Sequence, residues 1–225
     1  MVDSREGRWP AARAAQPVVT RDTTIVLEGF PGSAVGFARE AIRFSNPHAA
    51  VATPTFSAAH VFEALRRGRP TVLIVRPPVD AIESAIARGY PSAVVDAFRE
   101  YEWMHERLLP VLDRVVVAPF DQVTERFGDV VAEVNARFGT ALVPFPHDDP
   151  AARDAVSSTL SAHARAVTSE PAALAHIAPA MARRDRRRDA RAALLHPVHD
   201  AIRARCESLY VECVAHSLGT IGARR

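Results

Sequence analysis

The residues best suited to chemistry in this 225-residue chain lie in two short loops, each of which follows an apolar run. The first loop, residues 28–33, contains two glycines and a proline and comes after the β-branched, apolar residues 23–27. Because a helix is expected to begin just after this loop, its backbone N–H groups and the positive end of the helix dipole could hold an anion. A plain strand-to-helix connection explains the same pattern, and the sequence leaves both interpretations open.

The second loop begins at Arg76, which directly follows residues 71–75, a run typical of a strand buried on both faces. An arginine at the carboxyl end of such a strand has no evident packing role. Ser84 lies on the helix expected after this loop and can face the same edge of the sheet. A guanidinium binds phosphate through two parallel hydrogen bonds, and a hydroxyl can add another donor. The pair therefore predicts a phosphate-binding position.

Alternating strands and helices are expected to position these loops. The predicted strands are residues 23–27, 49–53, 71–75 and 115–118. The predicted helices are residues 34–44, 58–67, 79–88, 92–109 and 129–138, with only helices after residue 150. This alternation predicts a three-layer α/β/α domain with a mostly parallel central sheet and a helical C-terminal part. We expect an N-terminal arm over 1–21, one domain over 22–217 and a tail over 218–225.

Several stretches of the chain resemble the sulfotransferases that use 3′-phosphoadenosine 5′-phosphosulfate (PAPS). Residues 30–37, Phe-Pro-Gly-Ser-Ala-Val-Gly-Phe, are similar to the family's Tyr/Phe-Pro-Lys/Arg-Ser-Gly-Thr-Thr loop. Residues 76–84, Arg-Pro-Pro-Val-Asp-Ala-Ile-Glu-Ser, are similar to its Arg-Asp/Asn-Pro-X-Asp-X-X-X-Ser stretch. Residues 115–138 are similar to a later strand and helix of the family, and Leu209-Tyr210 to part of its C-terminal helix.

The resemblance implies a fold related to the P-loop kinases, PAPS as the sulfuryl donor, and a hydroxyl of a small metabolite or carbohydrate as the acceptor. In the family the first loop holds the 5′-phosphosulfate, and the Arg and Ser of the second stretch hold the 3′-phosphate. The implied nucleotide-binding residues are therefore Phe30, Pro31, Gly32, Ser33, Ala34, Arg76 and Ser84. Arg183 or Arg184 could supply a further phosphate contact, because the family's glycine-rich segment over the adenosine has no counterpart here.

The chain departs from the family at the positions that carry out the transfer. Gly32 stands at the family's catalytic basic position, and the sequence contains no lysine. The family's base, a histidine, would fall near residues 53–56, which are Thr-Pro-Thr-Phe. His60 is the candidate base, since an ordinary histidine titrates near neutral pH, and His48 is the alternative. A surface histidine or a hydrogen-bonded core histidine is the competing interpretation of each.

Composition and charge argue against several other classes of protein. A formal net charge of +2 gives no strong attraction to nucleic acid or to an anionic membrane. The six arginines between positions 183 and 191 form either a solvated helical face or a clamp for phosphate or sulfate. No histidine or cysteine group has metal-ligand spacing, so no metal is expected. The two cysteines and the absence of an N-terminal apolar stretch predict a cytoplasmic protein with reduced thiols.

Two functions fit these residues. The first is a PAPS-dependent sulfotransferase that acts on a hydroxyl of a small molecule. The second is a sulfotransferase-like protein that has lost transfer and serves as a nucleotide-binding or interaction module. The absent lysine and histidine favour the second, whereas the stretch from Arg76 to Ser84 favours the first. The sequence identifies neither the acceptor nor the oligomeric state.

Overall fold

A computed structural model describes residues 19–52, 54–90, 93–166 and 180–217, and it leaves the side chains of residues 163–166 and 180–184 undescribed. Within these ranges the strands are β1 (Ile25–Gly29), β2 (Val51–Ala52), β3 (Thr71–Val75) and β4 (Val116–Pro119). The first six helices are α1 (Val35–Ser45), α2 (Ala58–Arg66), α3 (Pro78–Ala87), α4 (Val94–Leu108), α5 (Phe120–Glu125) and α6 (Phe127–Phe138). The C-terminal helices are α7 (Pro150–Ala166), α8 (Ala180–Leu194) and α9 (Asp200–Val214).

The described strands form one sheet in which every pairing is parallel and the order is β2-β1-β3-β4. From β1 the chain crosses to β2 on one side, and from β3 it crosses to β4 on the other. The strand order therefore reverses between β1 and β3. In open parallel sheets, ligands bind beyond the carboxyl ends of the strands at such a reversal. The loops after β1 and β3 flank this position.

Two hydrophobic clusters cover the two faces of the sheet, because successive residues of a strand point to opposite sides. On one face Leu27 and Ile74 pack with residues of α1, α6 and α7. On the other face Leu73 and Val75 pack with residues of α2, α3, α4 and α9. The three-layer α/β/α class that the sequence predicts is thus confirmed, with helices following the last strand.

Element boundaries differ from the sequence prediction at several places, and strand β1 begins and ends two residues later than predicted. Among the described residues, strand β2 pairs at Val51 and Ala52, whereas the prediction spans 49–53; the Ala49 N–H donates to the Asn46 carbonyl oxygen of the preceding turn, and residue 53 lies outside the described residues. The short helix α5 was not predicted, since its six residues are too few to show a helical period. Ser57 caps the N-terminus of α2, since its hydroxyl accepts a hydrogen bond from the Ala59 N–H.

Candidate functional site

Arg76 joins the two loops that the sequence singles out. Its Nη1 donates a hydrogen bond to the carbonyl oxygen of Gly32 over 2.7 Å, and its guanidinium lies 3.9 Å from the centre of the Phe120 ring. The Tyr101 hydroxyl donates to the Arg76 carbonyl oxygen at 2.8 Å, which fixes the backbone at the end of β3. A guanidinium has five N–H donors in a fixed plane, so Arg76 retains donors beyond the one that Gly32 uses.

The first loop packs directly against α3. Pro31, Gly32 and Ser33 are buried, and Gly32 has a φ of +90°, a conformation that side chains other than glycine's rarely adopt. A Cβ atom placed on Gly32 would lie 2.5 Å from the Ala81 carbonyl oxygen and 3.0 Å from the Ser84 Cβ. The position at which the resembling family carries its catalytic basic residue therefore has no room for a side chain in this conformation.

Replacing Gly32 with alanine is expected to destabilise the protein through this contact. The positive φ alone costs about 1–2 kcal/mol for a residue with a Cβ, and displacement of the Ala81 carbonyl adds to that cost. Urea unfolding measures the loss, with Gly68→Ala as the matched control, since Gly68 has a φ of +62° but no atom within 4 Å of the added Cβ. An equal loss in both variants would contradict the close packing of Gly32 on α3.

Two serine hydroxyls at the junction of the loops have no hydrogen-bond partner among the described residues. Ser33 and Ser84 are each 1% exposed, and neither Oγ has a partner within the described ranges. Buried polar groups in proteins are nearly always hydrogen-bonded, so an unpartnered pair calls for an explanation. A ligand or water held between the loops would supply the missing partners.

Positive charge accumulates along α3. Burial lowers the pKa of Arg76, with the negative charges of Asp80 and Glu83 acting to raise it and the positive charges of Arg88 and Arg187 to lower it further. Arg88 follows the end of α3, and burial likewise lowers its pKa. Arg187 belongs to the arginine cluster that the sequence analysis names, whereas Arg88 belongs to no sequence motif. Several guanidinium groups that weaken one another's protonation favour the binding of an anion.

The arginine cluster of α8 is partly used to attach this helix to α3. Arg191 Nη1 donates to Asp80 Oδ1 and to Glu83 Oε2, both at 2.8 Å, and Arg187 Nε lies 4.0 Å from Glu83 Oε1. These contacts bring α8 to the helix that begins at the second loop. The side chains of Arg183 and Arg184, predicted as phosphate contacts, lie outside the described part of the chain.

His60 pairs with a buried carboxylate that the sequence analysis did not identify. Glu28 is 0% exposed at the carboxyl end of β1, and its Oε2 lies 2.9 Å from His60 Nδ1. The same carboxylate accepts hydrogen bonds from the N–H groups of Thr55, at 3.1 Å, and Phe56, at 3.2 Å. His60 Nε2 is buried without a partner among the described residues. Because a carboxylate accepts, Nδ1 carries a proton, and in the neutral form of the ring this leaves a free lone pair on Nε2.

His48 lies at the opposite edge of the sheet. It is an exposed residue in the connection between α1 and β2. In a parallel sheet the chain enters each strand at the edge opposite to the carboxyl ends, where Arg76 and the first loop lie. The structure therefore brings His60 to the candidate site and places His48 away from it.

Residues in α3 and just beyond its ends contact the segments that follow β3, β1 and β2. The helix begins just after Arg76 at the end of β3, and its middle contacts Gly32 after β1. Beyond its end, the Tyr90 ring meets the Phe56 ring edge to face, with centroids 6.1 Å apart. Phe56 follows β2 and has a φ of +55°, an uncommon conformation that its hydrogen bond to Glu28 helps to hold. The Phe56–Tyr90 ring pair thus lies just beyond the C-terminal end of α3.

Other features of the described residues are structural. Cys206 and Cys213 are free and buried, and burial raises the pKa of each thiol to about 12, which keeps both protonated. Within the described ranges, no cluster of three or more His, Cys, Asp or Glu side chains could hold a metal ion. A search of the same ranges finds no helix that is long and apolar enough to span a bilayer.

Comparison with known proteins gives one structural likeness. No family model matches the chain, and no curated protein matches it. Among solved structures, the chain is similar to a mouse sulfotransferase in complex with PAP, with 10% sequence identity and a TM-score of 0.46. The alignment covers 85% of this chain and 90% of the mouse chain. A likeness of this degree assigns neither a family nor an activity to the chain.

Proposed function

We propose that the chain binds a 3′-phosphorylated adenosine nucleotide of the PAPS type and transfers its sulfuryl group to a hydroxyl of a small metabolite or carbohydrate. The observation that carries this proposal is the junction at the β1/β3 reversal, where Arg76 reaches the first loop beside the unpartnered hydroxyl of Ser84. Both residues occupy the positions that the resembling family uses for the 3′-phosphate.

The residues present fit the 3′-phosphate better than the phosphosulfate. Arg76 can bind the phosphate bidentately, and Ser84 can donate its hydroxyl proton to the same group. On the 5′ side the first loop contributes no cation, because Gly32 has no side chain. There the N–H groups at the start of α1 are the remaining donors, since the first four N–H groups of a helix have no partner within it.

Transfer also requires a group that accepts the proton of the acceptor hydroxyl. When bound, PAPS supplies an activated sulfuryl group on its 5′-phosphate. Glu28 holds His60 with the proton on Nδ1, so Nε2 is the atom that would receive the proton of the acceptor hydroxyl. Nε2 is buried without a partner among the described residues, a state that a bound hydroxyl would relieve by donating to it.

A second candidate function is nucleotide binding without transfer. The contact of Gly32 with α3 favours it, because the developing charge of the transferred group would meet no cation from the first loop. The two functions share the nucleotide site and differ only in whether product forms. Incubation with PAPS and a panel of hydroxyl compounds separates them. Acceptor-dependent release of PAP that His60→Ala abolishes without loss of PAP affinity supports transfer, whereas binding with no such release supports the second function.

Arg76→Ala is expected to weaken the binding of PAP by about 2 kcal/mol, roughly thirtyfold, the size of a lost charged hydrogen bond. Calorimetric titration with PAP and with 5′-AMP, which lacks the 3′-phosphate, measures this effect. Wild type should prefer PAP, and the variant should lose that preference while its affinity for 5′-AMP is unchanged. Arg153→Ala, at an exposed position of α7, is the control. Equal affinity of wild type for the two nucleotides, or full PAP affinity in the variant, would contradict the site.

A further inference from the structure

Arg88 has no hydrogen-bond or ion-pair partner among the described residues, although it is only partly exposed. It is the residue at which α3 ends, and its backbone N–H is already used to cap the helix. The guanidinium therefore presents five N–H donors that no described residue accepts. Partly buried arginines are normally paired, because the desolvation of an unpaired cation is unfavourable. Arg88 is thus available to an anion that approaches from outside.

The helical spacing places Arg88 beyond the nucleotide residues and toward β2. Residues four apart lie on the same face of a helix, so Arg88 follows Ser84 on the face of α3 that packs on the first loop. Arg76 lies at the opposite end of α3, beside β3. Two residues after Arg88, Tyr90 meets Phe56 in the loop that Glu28 holds next to His60. Arg88 therefore lies between the two positions, since its charge also lowers the pKa of Arg76, while the neighbouring Tyr90 contacts the loop beside His60.

The electrostatic surroundings of Arg88 favour an anion. The charge of Arg187 on α8 lowers the pKa of Arg88 in addition to the effect of burial, and Tyr90 acts in the opposite direction. The two carboxylates of α3, Asp80 and Glu83, already contact arginines of α8. Among the described residues, no carboxylate forms an ion pair with Arg88.

We propose that Arg88, together with the Phe56–Tyr90 ring pair, forms an acceptor subsite for a hydroxyl compound that also carries a carboxylate, phosphate or sulfate group. The guanidinium binds such an anion through two parallel hydrogen bonds. The two rings supply an apolar wall for the body of the acceptor, and the hydroxyl to be sulfated points toward His60. This inference rests on the proposed function and narrows its acceptor from any small hydroxyl compound to an anionic one.

The test compares anionic and neutral hydroxyl compounds of the same shape. Calorimetric titrations use 4-hydroxybenzoate and 4-hydroxyphenyl phosphate against neutral 4-hydroxybenzamide, each with and without saturating PAP. Wild type should prefer the anions by about tenfold, as expected for a charged hydrogen-bonded pair, and Arg88→Gln should reduce this preference to less than roughly twofold. Arg88→Lys keeps the charge without the bidentate geometry and should retain an intermediate preference. Arg153→Gln, at an exposed position of α7, is the control.

The outcomes separate the subsite from the nucleotide site. If wild type binds the anions no better than the amide, or if Arg88→Gln keeps the preference, the acceptor subsite is overturned while PAP binding stands. If Arg88→Gln instead weakens PAP binding as strongly as Arg76→Ala, Arg88 belongs to the nucleotide site and the inference is also overturned. If PAP does not bind to wild type at all, the proposed function fails, and the titrations without PAP still decide whether Arg88 selects anions.

Discussion

Replacing Glu28 with alanine is expected to lower the free energy of unfolding by about 3–5 kcal/mol, because several buried donors lose their acceptor at about 1–3 kcal/mol each. The physical reason is the number of donors that Glu28 serves. Its two oxygens accept from the N–H groups of Gly29, Thr55 and Phe56 and contact Nδ1 of His60, all within 3.2 Å. Each buried donor left without an acceptor carries its own desolvation cost.

Chemical unfolding in urea measures this loss, and two variants make the result specific. Glu28→Gln keeps the shape and one oxygen of the side chain, so it should lose less stability than Glu28→Ala. Glu63→Ala, which removes a surface partner of Arg66 and Arg67, is the control and should leave the unfolding midpoint close to that of wild type. If Glu28→Ala unfolds at the wild-type midpoint, the buried contacts of Glu28 do not hold the loop after β2.

The same variants test whether Glu28 also determines which ring nitrogen of His60 carries the proton. Nitrogen chemical shifts of the imidazole ring should show the proton on Nδ1 in wild type, because Glu28 Oε2 accepts from it. In Glu28→Gln the amide group can donate to Nδ1, which would move the ring proton to Nε2. A loss of sulfuryl transfer in that variant with unchanged PAP affinity would then report on the base rather than on the fold.

The sequence predicted the frame of the candidate site because its signals are local. Strand β3 and helices α1 and α6 follow from apolar runs and from glycines and prolines at their ends, which depend on neighbouring residues alone. The position of Arg76 at a strand end follows from the same pattern. Parallel strands place their carboxyl ends at one edge of the sheet, so the proximity of the two loops could also be predicted from the sequence.

The remaining parts of the site depend on contacts between distant residues. Glu28 stands at the start of a loop in the sequence pattern, and nothing local indicates that Thr55, Phe56 and His60 would surround it. Arg88 belongs to no motif. It becomes a candidate because no described residue pairs with its guanidinium, and this depends on how α3 packs. The lack of room for a side chain at Gly32 likewise results from the contact of α3 with the first loop.

The position of α3 links these separate observations. Helix α3 packs on one face of the sheet and also contacts the first loop at Gly32. Its first residues follow Arg76, its middle contacts Gly32, and Arg88 and the Phe56–Tyr90 pair lie at its far end. A nucleotide bound at one end and an acceptor at the other would meet near the first loop. The order of residues along this helix thus corresponds to the order of the groups in the proposed reaction.

The second large effect is expected in the dependence of stability on pH, through His105. This residue is 0% exposed in α4, and its Nδ1 donates to the Tyr101 carbonyl oxygen at 2.8 Å while its ring stacks on that of Tyr101. Burial lowers the pKa of His105 to about 4 from its ordinary 6.5, with the hydrogen bond to Tyr101 acting weakly in the opposite direction. The folded protein therefore holds this imidazole neutral under conditions in which the unfolded chain protonates it.

The sign of the effect follows from the lowered pKa. Between about pH 6.5 and pH 4 the unfolded chain binds more protons at His105 than the folded protein, so the folded state loses stability as the pH falls through this window. The loss in the free energy of unfolding amounts to about 3 kcal/mol, since each unit of pKa difference corresponds to about 1.4 kcal/mol. Urea unfolding from pH 4 to pH 8 measures it. His105→Leu should remove this part of the pH dependence. The control, the same change at exposed His48, should leave it in place. An unchanged dependence of stability on pH in His105→Leu would show that other groups govern the loss of stability in acid.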